Sequence, residues 1–378
     1  MKILVVGAGP SGLMFASETK KLKPEWEIRI IEKNHPDANV VGWGVVLPGR
    51  APHHPANPLS YIENHEILDA QYLEDFKLTH HNQSALKSTG VTLCGAERKS
   101  MVRELRQLCQ SLGITIDYEQ PAVEDAELLC NEYDLVVVSN GINHTTTYYR
   151  DTLKPKVEFG KNRYMWYGTP KTFDAMNLIF KSHSKGIFVA HSYKYSSTMS
   201  TFVVECSEET YQKSGLDEMS PQEAEKFIAS VFESDLDGNP VMAQEGLKWR
   251  NFMTLSHEKA YDGNVALLGD ALQSGHFSIG HGTTMAVVGA QILVKAVFDN
   301  PDNVEAALAD FNQHVMPIMR LFDQHATISR LWFETVEDRM HLSTGEVAQS
   351  FAERRGELPP LPAALGQALE RALARGDK

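Results

Sequence analysis

Apolar runs near the start of the chain alternate with a glycine-rich turn and an amphipathic stretch. "KILVVG" (2–7) is a short continuous apolar run, typical of a parallel strand buried on both faces. After the turn at 7–12, "LMFASETKKL" (13–22) places apolar residues at helical spacing. "WEIRIIEK" (26–33) then predicts a second strand that ends at Glu32. The pattern indicates a β-α-β unit.

Between about residues 155 and 255 the pattern becomes that of an antiparallel sheet. Four strands separated by turn residues are predicted here: "NRYMWYGT" (162–169), "MNLIFKSH" (176–183), "GIFVAHSYKYS" (186–196) and "MSTFVVECS" (199–207). One helix, "SPQEAEKFIASVFES" (220–234), is inserted, and Ser220 is a candidate amino-terminal cap.

The flanking segments return to alternating helices and buried strands. They comprise a helix at 98–113, strands at 114–119 and 133–141, and a late strand at 264–271, whereas 36–58 shows no regular pattern. This order predicts an α/β fold in which a Rossmann-like domain is interrupted by an antiparallel-sheet domain. We place the parts of the nucleotide-binding domain at 1–154 and 259–345, the sheet domain at 155–258, and a helical tail at 346–378.

Composition narrows the class of protein. The chain has 378 residues and a formal net charge of −13, which argues against binding nucleic acid or an anionic membrane. Cysteines at 94, 109, 130 and 206 have no paired spacing, so we expect reduced thiols and no zinc site. The apolar stretch 283–298 contains a glutamine and a lysine and is short for a bilayer span. We therefore expect a cytoplasmic protein.

The first glycine-rich turn has the spacing of a dinucleotide-binding loop. Gly7 allows the tight turn, Gly9 lets a pyrophosphate approach the backbone, and Gly12 lets helix and strand pack closely. The helix amino terminus offers free N–H groups to the anion, and an acid after the second strand can bind ribose hydroxyls. The candidate contacts are Gly7, Gly9, Ser11, Gly12, Glu32 and Lys33.

A second glycine-rich loop, "GDALQSGHFSIGHGTTM" (269–285), follows the late strand and opens another helix. Asp270 suits the ribityl hydroxyls of a flavin, and N–H groups near Gly280 and Gly282 suit its pyrimidine edge. The two loops together therefore favour FAD over NAD, with one loop at each end of the cofactor.

The second loop resembles the late GDAAHxxxPxxGxG motif of the single-component FAD-dependent aromatic hydroxylases related to p-hydroxybenzoate hydroxylase. The stretch that begins at Arg98 is similar to their RxxLxxxL motif, which implies that Arg98 contacts the flavin phosphates or ribityl chain. The chain departs from the family at Gln273 and Phe277, where relatives have His and Pro. It departs also at Asn140-Gly141, where they have Asp-Gly.

Within that family, six segments are similar to the violacein-pathway indole hydroxylases: 42–50, 54–61, 88–95, 251–257, 269–288 and 331–343. The resemblance implies an enzyme that uses FAD, NADPH or NADH, and molecular oxygen. It would hydroxylate carbon 5 of one indole ring of a bis-indole substrate through a flavin C4a-hydroperoxide. The "GWGVV" segment alone also resembles hydroxylases that act on aryl-CoA thioesters, so this alternative stays open.

The resemblance and the aromatic content of the middle sheet suggest a pocket. The loop 42–50 is expected to line the flavin with Trp43 and Gly44. The candidate substrate contacts are Arg50, Trp166, Tyr167, His191, Tyr193, Tyr195, His276 and Phe277. His276 and His281 flank the glycine turn and are possible catalytic residues that orient substrate or assist proton release. No catalytic triad and no metal is expected.

Other classes fit less well. A flavin halogenase would need a GWxWxIP motif, and an aryl-CoA hydroxylase would need a basic groove, whereas 35–60 offers mainly Arg50 and histidines. Non-enzymatic escort proteins share this fold but lack a functional flavin site, so stable FAD would count against them. The partner expected is a small aromatic molecule; the sequence leaves the oligomeric state open.

Overall fold

The structure is a computed structural model that describes residues 1–38, 40–51, 54–62, 68–120, 131–142 and 153–373. Cys130 and the end of the tail, 374–378, lie outside these residues. The other three cysteines are buried free thiols, and burial raises the pKa of Cys94 to about 11 and that of Cys109 to about 12.

The described strands, in chain order, are β1 (Lys2–Val6), β2 (Glu27–Ile31), β3 (Gly44–Pro48), β4 (Gln71–His80), β5 (Gln83–Glu97), β6 (Thr115–Asp117), β7 (Leu135–Val138), β8 (Lys156–Thr169), β9 (Met176–His183), β10 (Gly186–Lys194), β11 (Ser200–Cys206), β12 (Met242–Ala243), β13 (Arg250–Ser256), β14 (Tyr261–Asp262) and β15 (Val265–Leu267).

The described α-helices are α1 (Pro10–Leu22), α2 (Arg98–Ser111), α3 (Glu208–Ser214), α4 (Pro221–Val231), α5 (Glu233–Leu236), α6 (Gly282–Asp299), α7 (Val304–Glu334), α8 (Thr344–Glu353) and α9 (Leu361–Leu373). Short 3₁₀ turns cover Pro58–Tyr61, Gly269–Ala271, Phe277–Ile279 and Val336–Arg339.

A six-stranded sheet carries the nucleotide-binding pattern. Its order is β14-β15-β7-β1-β2-β6, with β14 antiparallel and the others parallel. Val6 at the end of β1 pairs with Ile31 of β2 and Val138 of β7. Because parallel strands end at one edge of the sheet, the segments after β1, β2, β7 and β15 meet there. Those segments begin at Gly7, Glu32, Ser139 and Leu268.

The second sheet has nine strands in the order β12-β8-β11-β10-β9-β4-β5-β3, and β13 also pairs with β8. The four strands predicted between 162 and 207 are confirmed as β8 to β11. The sheet is antiparallel except at the β4–β9 pair. It also recruits β3, β4 and β5, which lie inside the segment 1–154 that we assigned to nucleotide binding alone.

The strand β3 corrects the expectation that 36–58 has no regular element. Its five residues are too short to stand out among the surrounding glycines, prolines and histidines. They form a strand because β5 supplies an antiparallel partner, with Gly44 opposite Glu97. The long β5 is largely exposed, so it lacks the apolar alternation that would reveal it.

The helix α6 lies in the centre of the protein. It is 18 residues long, longer than the apolar stretch seen in the sequence, and its length and composition would allow a membrane span. However, 67% of it is buried inside the fold, where it packs against α1 and α7. Such burial is that of a core helix. The final helix α9 adds Leu361, Leu365 and Leu369 to the same core.

The close approach of β1 and β7 gives a stability prediction. Gly7 has φ +103°, and a Cβ there would lie 2.7 Å from Asn140 Cα. We expect Gly7→Ala to lower the free energy of unfolding by about 1–3 kcal/mol, because both the backbone angle and the contact are strained. Urea unfolding without added cofactor measures this. Gly345→Ala is the matched control, because no atom of the described part of the chain lies within 4 Å of the added Cβ. An unchanged midpoint for Gly7→Ala would contradict the close approach.

Candidate cofactor and substrate site

The first glycine-rich loop leaves the amino terminus of α1 open. Gly9 caps this helix without a side-chain hydrogen bond, and its first turn carries no acidic residue. Within the described ranges, a Cβ at Gly9 would meet only Ser139 O, at 3.8 Å, so space remains beside the backbone. A Cβ at Gly12 would instead lie 2.5 Å from Gly7 O. Gly12 therefore serves close packing, while Gly9 leaves room for an anion at the helix end.

Glu32 links the second strand to this loop. The carboxylate is buried and accepts hydrogen bonds from Ala8 N at 2.9 Å and from Asn34 N at 3.0 Å. Asn34 Nδ2 donates as well, at 2.7 Å. Glu32 therefore positions the first glycine-rich loop. Lys33 follows on the exposed side of the strand end.

The second loop lies against the first. Gly269 has φ +59°, and a Cβ there would lie 2.6 Å from Ser11 Oγ. Further along, α6 begins at Gly282, and His281 caps it without a side-chain hydrogen bond. A Cβ at Gly282 would meet no atom within 4 Å among the described residues. Gly280, at φ +65°, turns the chain against Val46 of β3. The site thus has two open helix amino termini.

Arg98 and Asp270 interact electrostatically beside the two loops. Arg98 is the first residue of α2, and its N–H donates to Trp43 O at 3.0 Å. Burial lowers the pKa of Arg98, whereas the Asp270 carboxylate opposes that change. The surrounding protein raises the pKa of Asp270, and Arg98 opposes that shift in turn. Asp270 nevertheless keeps an exposed side chain, so it lies in the wall of an open recess.

Three N–H donors near Gly42 have no hydrogen-bond partner among the described residues. They are Trp43 Nε1, Trp166 Nε1 and Arg98 Nε. A Cβ at Gly42 would lie 2.6 Å from the Trp166 ring and 3.1 Å from Arg98 Cδ, so two of these side chains meet at this glycine. Each buried unpaired donor costs about 1–3 kcal/mol, so a polar ligand in this region would be stabilised.

The neighbouring residue Gly44 fastens the loop to the second sheet. Its N–H donates to Thr201 Oγ1 at 2.9 Å, and its carbonyl accepts from Tyr193 OH at 2.9 Å. The ring of buried Tyr195 lies directly against Gly44, where any Cβ would collide with it. Tyr195 therefore supports the loop.

One face of the second sheet packs against the second glycine-rich loop. His191 of β10 pairs with Val203 of β11, which pairs with Trp166 of β8, so their side chains share a face. Tyr193 follows His191 by two residues and lies on the same face. Tyr167 points to the other face, in a core with α4 and α5, and its hydroxyl accepts from Trp249 Nε1 at 3.1 Å. The structure does not bring Tyr167 to the other candidates.

Phe277 lies at the centre of an aromatic cluster on this face. Its ring centroid is 4.2 Å from that of His276 and 5.1 Å from that of His191. Tyr164 and Phe252 complete the cluster at 5.1 and 5.8 Å. Sequence reasoning missed these two residues, although Tyr164 precedes Trp166 by two positions and so shares its face of β8.

Arg50 lies elsewhere, beyond the end of β3. Its guanidinium pairs with Glu74 Oε1 at 2.9 Å and lies over the Tyr72 ring at 4.5 Å. The side chain is 53% exposed. The structure thus gives this charge a partner on the surface and does not bring it into the aromatic cluster.

Beneath the cluster is a carboxylate that the sequence analysis did not single out. Glu205 of β11 is 1% exposed, accepts from Asn162 Nδ2 at 3.0 Å and contacts His191 Nε2 at 2.7 Å. Burial alone would raise the pKa of Glu205, but these hydrogen bonds and the nearby His276 hold it below its usual range. An acid within the apolar run "TFVVEC" was the available signal.

Of the two loop histidines, His276 is buried and His281 is partly exposed. Burial lowers the pKa of His276 to about 4 and also lowers that of His281, whose Nδ1 contacts Ile279 O. Both rings are therefore neutral near neutral pH. In the described part of the chain, no three His, Cys, Asp or Glu residues form a group that could hold a metal ion.

Comparisons with known proteins define the fold and family. No protein-family model matches the chain. It is 58% identical over 375 residues to protodeoxyviolaceinate monooxygenase of Chromobacterium violaceum, covering 99% of this chain and 100% of that protein. It is 28% identical over 347 residues to salicyloyl-CoA 5-hydroxylase of a Streptomyces species, covering 88% and 65%. A solved structure of 2-methyl-3-hydroxypyridine-5-carboxylic acid oxygenase matches with TM-score 0.70 at 17% identity, covering 99% and 98%.

The fold is that of the FAD-dependent aromatic monooxygenases of the p-hydroxybenzoate hydroxylase type, as the sequence predicted. The protein is a flavin monooxygenase. The chain belongs to the protodeoxyviolaceinate monooxygenase family, which the 58% identity over the full length of that relative shows. The residues present fit the flavin nucleotide, since two open helix ends lie at the two loops and three buried N–H donors near Gly42 lack partners among the described residues.

The loop geometry predicts how FAD retention responds to substitution. We expect Gly9→Val to fold, because its Cβ has space, yet to lose bound FAD, because the side chain fills the approach to the end of α1.

Asp270→Ala should weaken FAD retention about tenfold or more through loss of a charged hydrogen-bond partner. The measurement is flavin absorbance per protein after gel filtration. Asp174→Ala, at an exposed residue of the second sheet region, is the control. Full flavin content in both site variants would refute the assignment.

Proposed function

We propose that this enzyme hydroxylates an indole ring of protodeoxyviolaceinate, at carbon 5. The observation that carries the proposal is the aromatic face around Phe277, which adjoins the second glycine-rich loop in a chain of this family. A flat, electron-rich bis-indole suits such a surface, because ring faces and edges supply most of its contact area.

The cofactor residues follow from the recess. We assign the adenosine and pyrophosphate end to the first loop and α1, with Gly9 giving access and Glu32 beside the ribose. Arg98 and Asp270 would bind the middle of the molecule, and the N–H groups at the start of α6 its pyrimidine edge. Bound FAD supplies the redox and oxygen chemistry, with NADPH or NADH as reductant.

The chain itself orients the substrate and excludes water. Trp166, His191 and Tyr193 form the sheet side of the proposed pocket, and His276 and Phe277 form the loop side. An indole ring is already nucleophilic, so the attack on oxygen needs orientation and a dry environment more than a strong base. Tyr195 acts indirectly by supporting the loop at Gly44.

We also propose that the enzyme works in the cytoplasm on a free small molecule. The net charge of −13 and the burial of α6 support a protein that binds neither nucleic acid nor a membrane surface.

An aryl-CoA thioester is the second candidate substrate, favoured by the 28% identity to salicyloyl-CoA 5-hydroxylase. Coenzyme A carries several phosphates and needs cationic partners. Arg50, the only Lys or Arg of the loop 42–50, is paired with Glu74. Because Arg50 is already paired with a carboxylate, it is not left to bind a phosphate of coenzyme A. The pairing therefore favours the bis-indole over the aryl-CoA thioester as the substrate.

Stopped-flow absorbance of the FAD-loaded enzyme tests the proposal. With NADPH and protodeoxyviolaceinate, we expect faster flavin reduction than without substrate, followed in air by a product heavier by one oxygen atom. Phe277→Ala should uncouple the reaction and raise peroxide release several-fold, because the flat contact that orients the ring is lost. Leu331→Ala, at an exposed site on α7, is the control. Peroxide alone from the unmodified enzyme, together with hydroxylation of salicyloyl-CoA, would overturn the proposal.

A further inference from the structure

His276 lies where the second glycine-rich loop meets the aromatic face. It is 3% exposed, and its ring lies 4.2 Å from that of Phe277 and 5.2 Å from that of Phe252. The proposed function uses this ring only as part of the pocket wall. Its hydrogen bonds, however, lead away from the pocket and reach the end of α8.

Four side chains from three parts of the fold form a continuous hydrogen-bonded chain. His276 Nδ1 lies 2.8 Å from Ser278 Oγ, and Ser278 Oγ donates to Ser329 Oγ at 2.8 Å. Arg354, just after α8, donates from Nε to the same Ser329 Oγ at 3.3 Å. Ser329 belongs to α7 and is 1% exposed, so this chain is shielded from solvent.

The donors in this hydrogen-bonded chain of side chains determine which nitrogen of His276 carries the proton. Ser329 Oγ accepts from Arg354, because a guanidinium only donates, and the geometry of the 2.8 Å contact makes it accept from Ser278 Oγ as well. The single hydroxyl proton of Ser278 is then used in the bond to Ser329. In the 2.8 Å contact between His276 Nδ1 and Ser278 Oγ, the donor must therefore be His276 Nδ1–H. The Ser278 backbone N–H favours the opposite tautomer, but at 3.4 Å it is the weaker contact. Among the described residues, Nε2 has no hydrogen-bond partner.

We propose that Arg354, Ser329 and Ser278 are positioning residues that hold His276 in its Nδ1–H tautomer, so that Nε2 accepts the proton leaving the hydroxylated ring carbon. This inference rests on the proposed function, since it assigns a role within that reaction.

The proton step balances in atoms and electrons. After oxygen has bonded, the ring carbon carries both the new oxygen and its original hydrogen, and the ring is cationic. The C–H bond breaks, its electron pair returns to the ring, and the proton bonds to Nε2 to give an imidazolium. A proton on such a cation is strongly acidic, so a weakly basic imidazole suffices.

The charges around His276 suit a neutral ring that takes a proton briefly. Burial lowers the pKa of His276 to about 4. The negative charge of Glu205 on β11 acts to raise this pKa, whereas His191 of β10 and Arg330 of α7 lower it further. The ring is therefore neutral before the reaction. The Glu205 carboxylate then stabilises the imidazolium that forms.

Nuclear magnetic resonance of histidine labelled with ¹⁵N tests the tautomer without turnover. The His276 signal is the one absent from His276→Gln, and we expect a protonated Nδ1 with an unprotonated Nε2. Arg354→Gln and Ser278→Ala should shift the balance toward Nε2–H. Arg354 lies over the Phe351 ring at 3.6 Å, and Arg339 lies likewise over the Trp332 ring at 5.2 Å but takes no part in the hydrogen-bonded chain to His276, so Arg339→Gln is the matched control. An Nε2–H tautomer in the unmodified enzyme, or one indifferent to Arg354→Gln, would overturn the proposal.

Turnover separates this inference from the proposed function. With substrate deuterated at the hydroxylated carbon, His276→Gln should lower product formation about 10²-fold and reveal a primary isotope effect absent from the unmodified enzyme. Arg354→Gln should show a smaller loss of the same kind with normal flavin content. A normal rate without an isotope effect in His276→Gln would refute the role of Nε2. No oxygenated product from the unmodified enzyme would refute the proposed function instead, and the tautomer result would stand.

Discussion

The structure depends on the contact between its two glycine-rich loops. Parallel pairing brings the ends of β1 and β15 to one edge of the sheet, and β7 lies between them. At that edge Gly269 approaches Ser11 so closely that any side chain would collide. Sequence positions some 260 residues apart are thereby brought into contact. Two helices, α1 and α6, begin there with uncapped amino termini.

A second constraint acts beneath the aromatic face. The buried carboxylate of Glu205 needs partners, and it takes them from His191 and Asn162. This fixes the orientation of His191 within the proposed pocket. The same negative charge acts on His276 of the loop, so the sheet and the loop are coupled electrostatically as well as by ring contacts.

Much of the nucleotide-binding part could be predicted from the sequence, because its signals are local. Buried apolar strands, glycines at fixed spacing and helix starts are all read within about thirty residues. That β3, β4 and β5 join the second sheet could not be predicted, since these strands depend on partners that are distant in the sequence. Likewise, Tyr167 and Trp166 are adjacent aromatic residues that look equally suited to a pocket. Only the pleat of β8 shows that their side chains point to opposite faces of the sheet. The pairing of Arg50 with Glu74 also depends on a neighbouring strand.

The central claim is that one FAD molecule contacts both loops. Hydrogen–deuterium exchange of the protein with and without FAD tests it most directly. We expect slower exchange on FAD binding at the amides of 11–13, at the start of α1, and of 281–285, at the start of α6. Protection of the first segment alone, with 281–285 exchanging as in the free protein, would contradict it.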